Sequence, residues 1–122
     1  MIDFEPSDEQ KLVVETVRSF AANELRPRAR ECFEARKLPD DAIARAHELG
    51  LVASALPEEQ GGGGERSAVT GALVIEELAW GDLALALAIL SPALVAYPVC
   101  DFGSPEQRRS LLPAFTGDRF VP

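Results

Sequence analysis

The segment from Asp82 to Tyr97 constrains the fold more than any other part of the chain. After its first residue it carries no charge, and its polar groups are Ser91 and the hydroxyl of Tyr97. Pro92 lies inside it and should bend or end a helix, because proline lacks the backbone N–H and clashes with the preceding turn. A helix that is apolar on every side has to be buried. The segment is therefore predicted to be the central helix of the fold.

A second apolar helix is predicted just before it, from Ser67 to Trp80, after the four glycines Gly61 to Gly64. At about 100° per residue, Glu76 falls in the middle of its broad apolar face and Glu77 falls on the opposite side. We expect Glu76 to be a buried structural acid with a cationic or backbone partner, since an unpaired buried charge is costly. The apolar face consists of Val69, Ala72, Leu73, Ala79 and Trp80.

Capping signals predict the helices at the two ends of the chain. Ser7 with Gln10 and Ser104 with Gln107 each fit a capping box, in which two side chains satisfy the first backbone N–H groups of a helix. Pro27 predicts a kink in the first of these helices.

A further helix is predicted to begin near Asp40 or Asp41 and to stop at Gly50, a suitable residue after a helix end. The chain is thus predicted to be all-α, a bundle of about five to six helices around the buried central helix. Residues 1–117 are expected to form the helical domain. Residues 118–122 resemble a turn that enters a strand.

The charge balance argues against nucleic acid as a partner. The chain has 20 acidic and 12 basic residues and a net charge of −8, whereas binding to phosphate backbones needs clustered Lys and Arg. Cys32 and Cys100 are far apart and stand in no metal-binding spacing, so free thiols are expected.

The apolar segment raises the question of a membrane span. Pro92 near its middle and the acidic flanks Asp82 and Asp101 favour a buried helix instead, so no membrane insertion is expected. The N-terminus lacks the apolar region of a signal peptide, and a cytoplasmic location is expected.

No arrangement of residues typical of a catalytic site occurs in the chain. The glycine run lacks the Gly-Lys-Ser/Thr ending of a phosphate-binding loop and does not fit Gly-x-Gly-x-x-Gly. His47, the only histidine, has no visible triad or metal partner and is expected to be exposed or to cap a helix. Glu76 and Glu77 diverge by about 100° on a helix and cannot act as a catalytic pair.

The order of several short motifs resembles a known family along nearly the whole chain. The motifs are Asp8-Glu9-Gln10, Phe20 to Pro27 (FAANELRP), Glu48-Leu49-Gly50-Leu51, Pro57 to Gly62 (PEEQGG), Glu76-Glu77-Leu78-Ala79, Phe102 to Gln107 (FGSPEQ), Leu112-Pro113 and Gly117. In this order they resemble the N-terminal helical domain of the FAD-dependent acyl-CoA dehydrogenases. Gln60 departs from the pattern, because the family usually has an aromatic residue before the glycines.

The resemblance implies a function for a longer protein. Members of the family oxidise the α,β bond of an acyl-CoA thioester, hold FAD in a β-domain and a C-terminal helical domain, and form homodimers or homotetramers. An electron-transfer flavoprotein is a possible partner. The catalytic base and the FAD site would lie in regions absent from this chain, which alone is predicted to be inactive. Residues 118–122 would then begin the linker or first strand of the missing β-domain.

The resemblance also implies substrate contacts within the apolar helix. By ungapped carry-over from Glu76-Glu77-Leu78-Ala79, residues that line the acyl pocket would be Ala86, Leu87, Leu90 and Leu94. An equally open reading makes them ordinary core residues.

Two other functions stay open at this point. The chain could be a free-standing helical module derived from the family that binds a protein partner. It could also be the N-terminal domain of a related flavin oxidase or monooxygenase.

Overall fold

A computed structural model describes residues 4–117, which fold into helices joined by short connections. The residues 118–122, predicted to begin a linker or strand, lie outside the described part. No strand occurs between residues 4 and 117, so the all-α prediction is confirmed there. The α-helices are α1 (Asp8–Phe20), α2 (Ala29–Ala35), α3 (Asp40–Glu48), α4 (Ala68–Gly81), α5 (Leu83–Leu90), α6 (Ala93–Phe102) and α7 (Pro105–Leu111).

Both predicted capping boxes are present. The Ser7 hydroxyl accepts from the backbone N–H of Gln10, whose side chain accepts from the Ser7 N–H, and Ser104 and Gln107 repeat the arrangement at α7. Regular α-helix ends at Phe20 and is followed by a wider π-helical turn at Ala21–Leu25 and a tighter 3-10 turn at Arg26–Arg28, which contains Pro27. The interruption expected at Pro27 is therefore confirmed.

The main core forms where α1, α3, α4 and α5 meet. Its fully buried large side chains include Val17, Leu25, Leu78 and Leu85. A smaller core lies around Leu56, Ala96 and Leu112, and Leu90 packs against both cores. Burial of a side chain such as Leu78 stabilises the fold by about 1.5–3 kcal/mol relative to leaving it in water.

The prediction for the buried acid was wrong by one residue. Glu76 is exposed, whereas Glu77 is buried and only 7% accessible. Helix α4 turns the face around Val74, Glu77 and Leu78 toward α1, and the face around Glu76 outward. Because α4 is apolar on nearly all sides, periodicity identifies an apolar face but does not decide which apolar face packs inward.

The apolar segment is also not buried on every side. Leu85, Ala86 and Ile89 enter the core, while Leu87 and Leu94 are exposed. The helix breaks at Ser91 and Pro92, as the proline predicted. The carbonyl of Ala88 would lose its backbone donor at Pro92, and the hydroxyl of Ser91 donates to it at 2.8 Å instead.

Candidate functional site

A row of leucines on α5 and α6 is the main exposed apolar feature of the described residues. We call Leu83, Leu87, Leu90 and Leu94 the leucine stripe. Their spacing places them within a sector of about 60° on a continuous helix. Ser91 and Pro92 both keep helical dihedral angles, so the stripe continues across the break. Leu87 is 66% exposed and Leu94 is 80% exposed.

The four residues predicted to line an acyl pocket do not all lie together. Ala86 is only 2% exposed and belongs to the main core. Leu87, Leu90 and Leu94 belong to the leucine stripe, but Leu90 is partly buried because it packs against both cores. Leu83, which the sequence analysis did not select, is exposed on the same stripe. The recurrence of leucine at intervals of four, three and four residues is the signal that could have identified it.

A second apolar surface lies on the outward face of α4. Val69, Ile75 and Trp80 are each about half exposed on the side of α4 that faces away from α1. Arg26 covers part of Trp80, since its guanidinium carbon stacks 4.3 Å from the ring centre and its Nη1 donates to the Trp80 carbonyl at 2.8 Å. Glu76 is the acid on this face.

The inner face of α4 carries a paired carboxylate. Arg18 of α1 donates from Nε to Glu77 Oε2 at 2.9 Å and from Nη2 to Oε1 at 2.7 Å. This hydrogen bond, reinforced by the charge of Glu77, raises the pKa of the Arg18 guanidinium above its usual value. Because both carboxylate oxygens are engaged, Glu77 serves to join two helices rather than to transfer a proton.

The glycine run offers no phosphate cradle. The N–H groups of Gly62, Gly63 and Gly64 donate to the carbonyls of Pro57, Ala53 and Leu56 at 3.0, 3.2 and 2.8 Å. The loop is packed so closely that a Cβ on Gly62 would lie 2.2 Å from the Leu56 oxygen. Since these donors point into the protein, they are not available to bind an anion.

The single histidine and the two cysteines are the remaining side chains that could take part in chemistry. His47 is partly buried, and its Nε2 lies 2.8 Å from the carbonyl oxygen of Gly117. Cys32 and Cys100 are free and partly buried. Within residues 4–117 no group of three or more His, Cys, Asp or Glu is placed to hold a metal ion.

The segment Leu83–Phe102 is long and apolar enough to cross a membrane, at 20 residues and a mean hydropathy of 2.1. Length and composition alone are weak support for a span, because a helix that packs against other protein passes the same test. The break at Ser91 and Pro92 and the ion pair between Asp101 and Arg66 favour packing against protein.

The sequence that forms these helices corresponds to a known domain. The family model "Acyl-CoA dehydrogenase, N-terminal domain" matches residues 7–118. The chain belongs to the acyl-CoA dehydrogenase family. Its match to the N-terminal domain confirms the family inferred from the sequence motifs.

Individual acyl-CoA dehydrogenases agree with this assignment. The chain is 31% identical over 120 residues to a probable medium-chain specific acyl-CoA dehydrogenase 2, mitochondrial, of Caenorhabditis briggsae, covering 98% of this chain and 29% of the relative. It is 35% identical over 112 residues to cyclohex-1-ene-1-carbonyl-CoA dehydrogenase of Geobacter metallireducens, covering 92% and 29%. The structure of butyryl-CoA dehydrogenase from Megasphaera elsdenii shares the fold, with a TM-score of 0.84 at 24% identity over 96% of this chain and 31% of that one.

The chain thus spans less than a third of the length of these acyl-CoA dehydrogenases. The matched part is the helical domain alone.

Proposed function

We propose that this chain supplies the apolar wall of the acyl-binding site and the packing surface for further domains in a flavin-dependent acyl-CoA dehydrogenase. The complete enzyme would remove an α-proton and a β-hydride from an acyl-CoA thioester, with FAD as hydride acceptor. An electron-transfer flavoprotein would then reoxidise the flavin. A homodimeric or homotetrameric assembly in the cytoplasm belongs to the same proposal.

The leucine stripe is the observation that supports this proposal. The side chains of Leu87 and Leu94 are largely exposed to solvent, and no charged residue lies between them along the helix. Such a surface is stabilised when another domain or an acyl chain covers it, at about 25 cal/mol for each Å² removed from water. An all-leucine surface has no hydrogen-bonding group for a polar acyl chain, so it suits an aliphatic or alicyclic one.

The glycine loop does not fit the pyrophosphate of a flavin cofactor. The N–H groups of Gly62, Gly63 and Gly64 donate to backbone carbonyls and are not available to a phosphate. We therefore assign no residue of this chain to FAD and place flavin binding in other domains of the enzyme. The chain alone is expected to be inactive.

The proposal is tested on the protein isolated from its source cell. Its intact mass should exceed the 13.1 kDa of this chain several-fold, and it should carry FAD that acyl-CoA reduces. Replacing Leu87 or Leu94 by Asn should raise the KM for acyl-CoA by roughly tenfold or more, as expected from losing the burial of one leucine. Leu111→Asn, at a half-exposed leucine on α7, is the matched control and should leave the KM unchanged.

A protein without flavin, or equal KM values for all three variants, would overturn the assignment. A mass of 13.1 kDa would favour the second function, a helical module whose leucine stripe binds a protein partner.

A further inference from the structure

A cavity of about 540 Å³ lies between the end of α2 and the beginning of α5. Its volume falls within the range of roughly 300–1,000 Å³ that is usual for small-molecule sites. Its apolar wall includes Phe33 and Leu38 on one side and Ala84 and Leu85 on the other. Ala84 and Leu85 lie outside the sector of the leucine stripe, so this cavity opens on another side of α5.

Two cations line the same cavity. Arg36 ends α2 in the left-handed conformation, with φ 52°, and the chain then reverses so that Arg36, Lys37 and Leu38 border one space. A positive φ is uncommon for a residue with a side chain. Among the described residues neither Arg36 nor Lys37 has an ion pair or a side-chain hydrogen bond.

The acids that line the cavity are already engaged. Glu34 pairs with Arg30 at 3.0 Å, and Asp82 accepts from the backbone N–H of Leu85 at 2.9 Å as the cap of α5. Arg36 and Lys37 are thus the lining charges that have no hydrogen-bond or ion-pair partner among the described residues, while Glu34 and Asp82 keep their negative charge. An apolar wall beside two unpaired cations is complementary to a molecule with an apolar body and an anionic head.

We propose that this cavity binds a small amphiphilic carboxylate, such as a medium-length fatty acid anion. The hydrocarbon would lie against Phe33, Leu38 and Ala84, and the carboxylate would face Arg36 and Lys37. This site does not depend on the function proposed for the leucine stripe.

The test is an NMR titration in which decanoate is added to the full 122-residue chain labelled with ¹⁵N. The amide signals of Cys32, Ala84 and Leu85 should shift with saturation, while those of Leu87 and Leu94 stay in place. Arg36→Gln combined with Lys37→Gln should weaken binding by roughly fivefold, because exposed ion pairs contribute little each. The matched control combines Lys11→Gln with Arg109→Gln, which removes the same charge from exposed positions on α1 and α7.

A neutral probe, decanamide, separates the head group from the chain. Decanamide should bind more weakly than decanoate to the unchanged protein. The variant without Arg36 and Lys37 should bind decanamide and decanoate about equally. Equal binding of both probes to the unchanged protein, shifts confined to the leucine stripe, or no saturable shift at millimolar decanoate would each overturn the proposal. Alkylation of Cys32 in a Cys100→Ser background gives a second readout, since decanoate should slow it if the cavity is filled.

Discussion

Replacing Glu77 by Gln should destabilise the chain clearly more than replacing its neighbour Glu76. The new side chain would keep one acceptor but present an amide NH₂ where Arg18 needs the second acceptor. A hydrogen bond to a charged group contributes about 1.5–3 kcal/mol. The side chain of Arg18 is 66% exposed and can return to water, so we discount the loss to about 1–2 kcal/mol.

Thermal unfolding of the 122-residue chain, followed by circular dichroism, measures this effect. For a domain of this size the loss corresponds to a fall in Tm of about 4–8 °C. Glu76→Gln makes the same chemical change at an exposed position and should stay within about 0.5 kcal/mol of the parent. Arg18→Gln should have much less effect in the Glu77→Gln background than in the parent, because the two residues share one interaction.

Equal decreases in Tm for Glu76→Gln and Glu77→Gln would refute the inward orientation of Glu77. Independent effects of the changes at Arg18 and Glu77 would refute their direct pairing.

Three further predictions concern the surface, the glycine loop and acid stability. The double change Leu87→Gln and Leu94→Gln should reduce the fluorescence of a hydrophobic dye bound to the chain; undiminished fluorescence would mean that the dye-binding surface lies elsewhere. Gly62→Ala should lower the Tm, because the added Cβ would meet a carbonyl oxygen. Gly71→Ala has open space in α4 and should stabilise the chain by about 0.5–1 kcal/mol. A higher Tm for Gly62→Ala than for Gly71→Ala would contradict the close packing of the loop. The hydrogen bond from Arg28 lowers the pKa of Asp41, so this pair stabilises the fold above the usual aspartate pKa of about 4 and loses its contribution as pH falls through the lowered value. Asp41→Asn should therefore lower the Tm at pH 7 but not at the acid end of the range. A difference in Tm that stays constant with pH would argue against the ion pair.

Helix ends were predictable from sequence because their signals are local. Ser7 and Ser104 need only residues three positions away to form their capping boxes, and Pro27 disrupts the turn in which it lies. The fold class followed from the same local patterns together with the family motifs. These features do not depend on knowing which elements meet in space.

The inward face of α4 could not be predicted in this way. Val74 and Leu78 make its inner side as apolar as its outer side, and the position of Arg18 on α1 decides that Glu77 can be buried. The leucine stripe was misread for a related reason. The rule that an all-apolar helix is buried concerns the complete assembly, whereas α5 and α6 bury only one side against this domain.

The cavity between α2 and α5 gave no sequence signal. Phe33 and Ala84 are distant in the chain and approach each other only because the chain turns at Arg36 and again at Asp82. A site formed by two turns of this kind depends on tertiary structure rather than on a motif.

The leucine stripe has a consequence for the colloidal behaviour of the chain. At neutral pH the net charge of −8 makes molecules repel one another despite their exposed leucines. That repulsion vanishes near the isoelectric point of about 4.6 and is screened by salt. Solubility should therefore fall most steeply in mildly acidic, salt-rich buffers, and replacing Leu94 by a charged residue should widen the soluble range without touching the core.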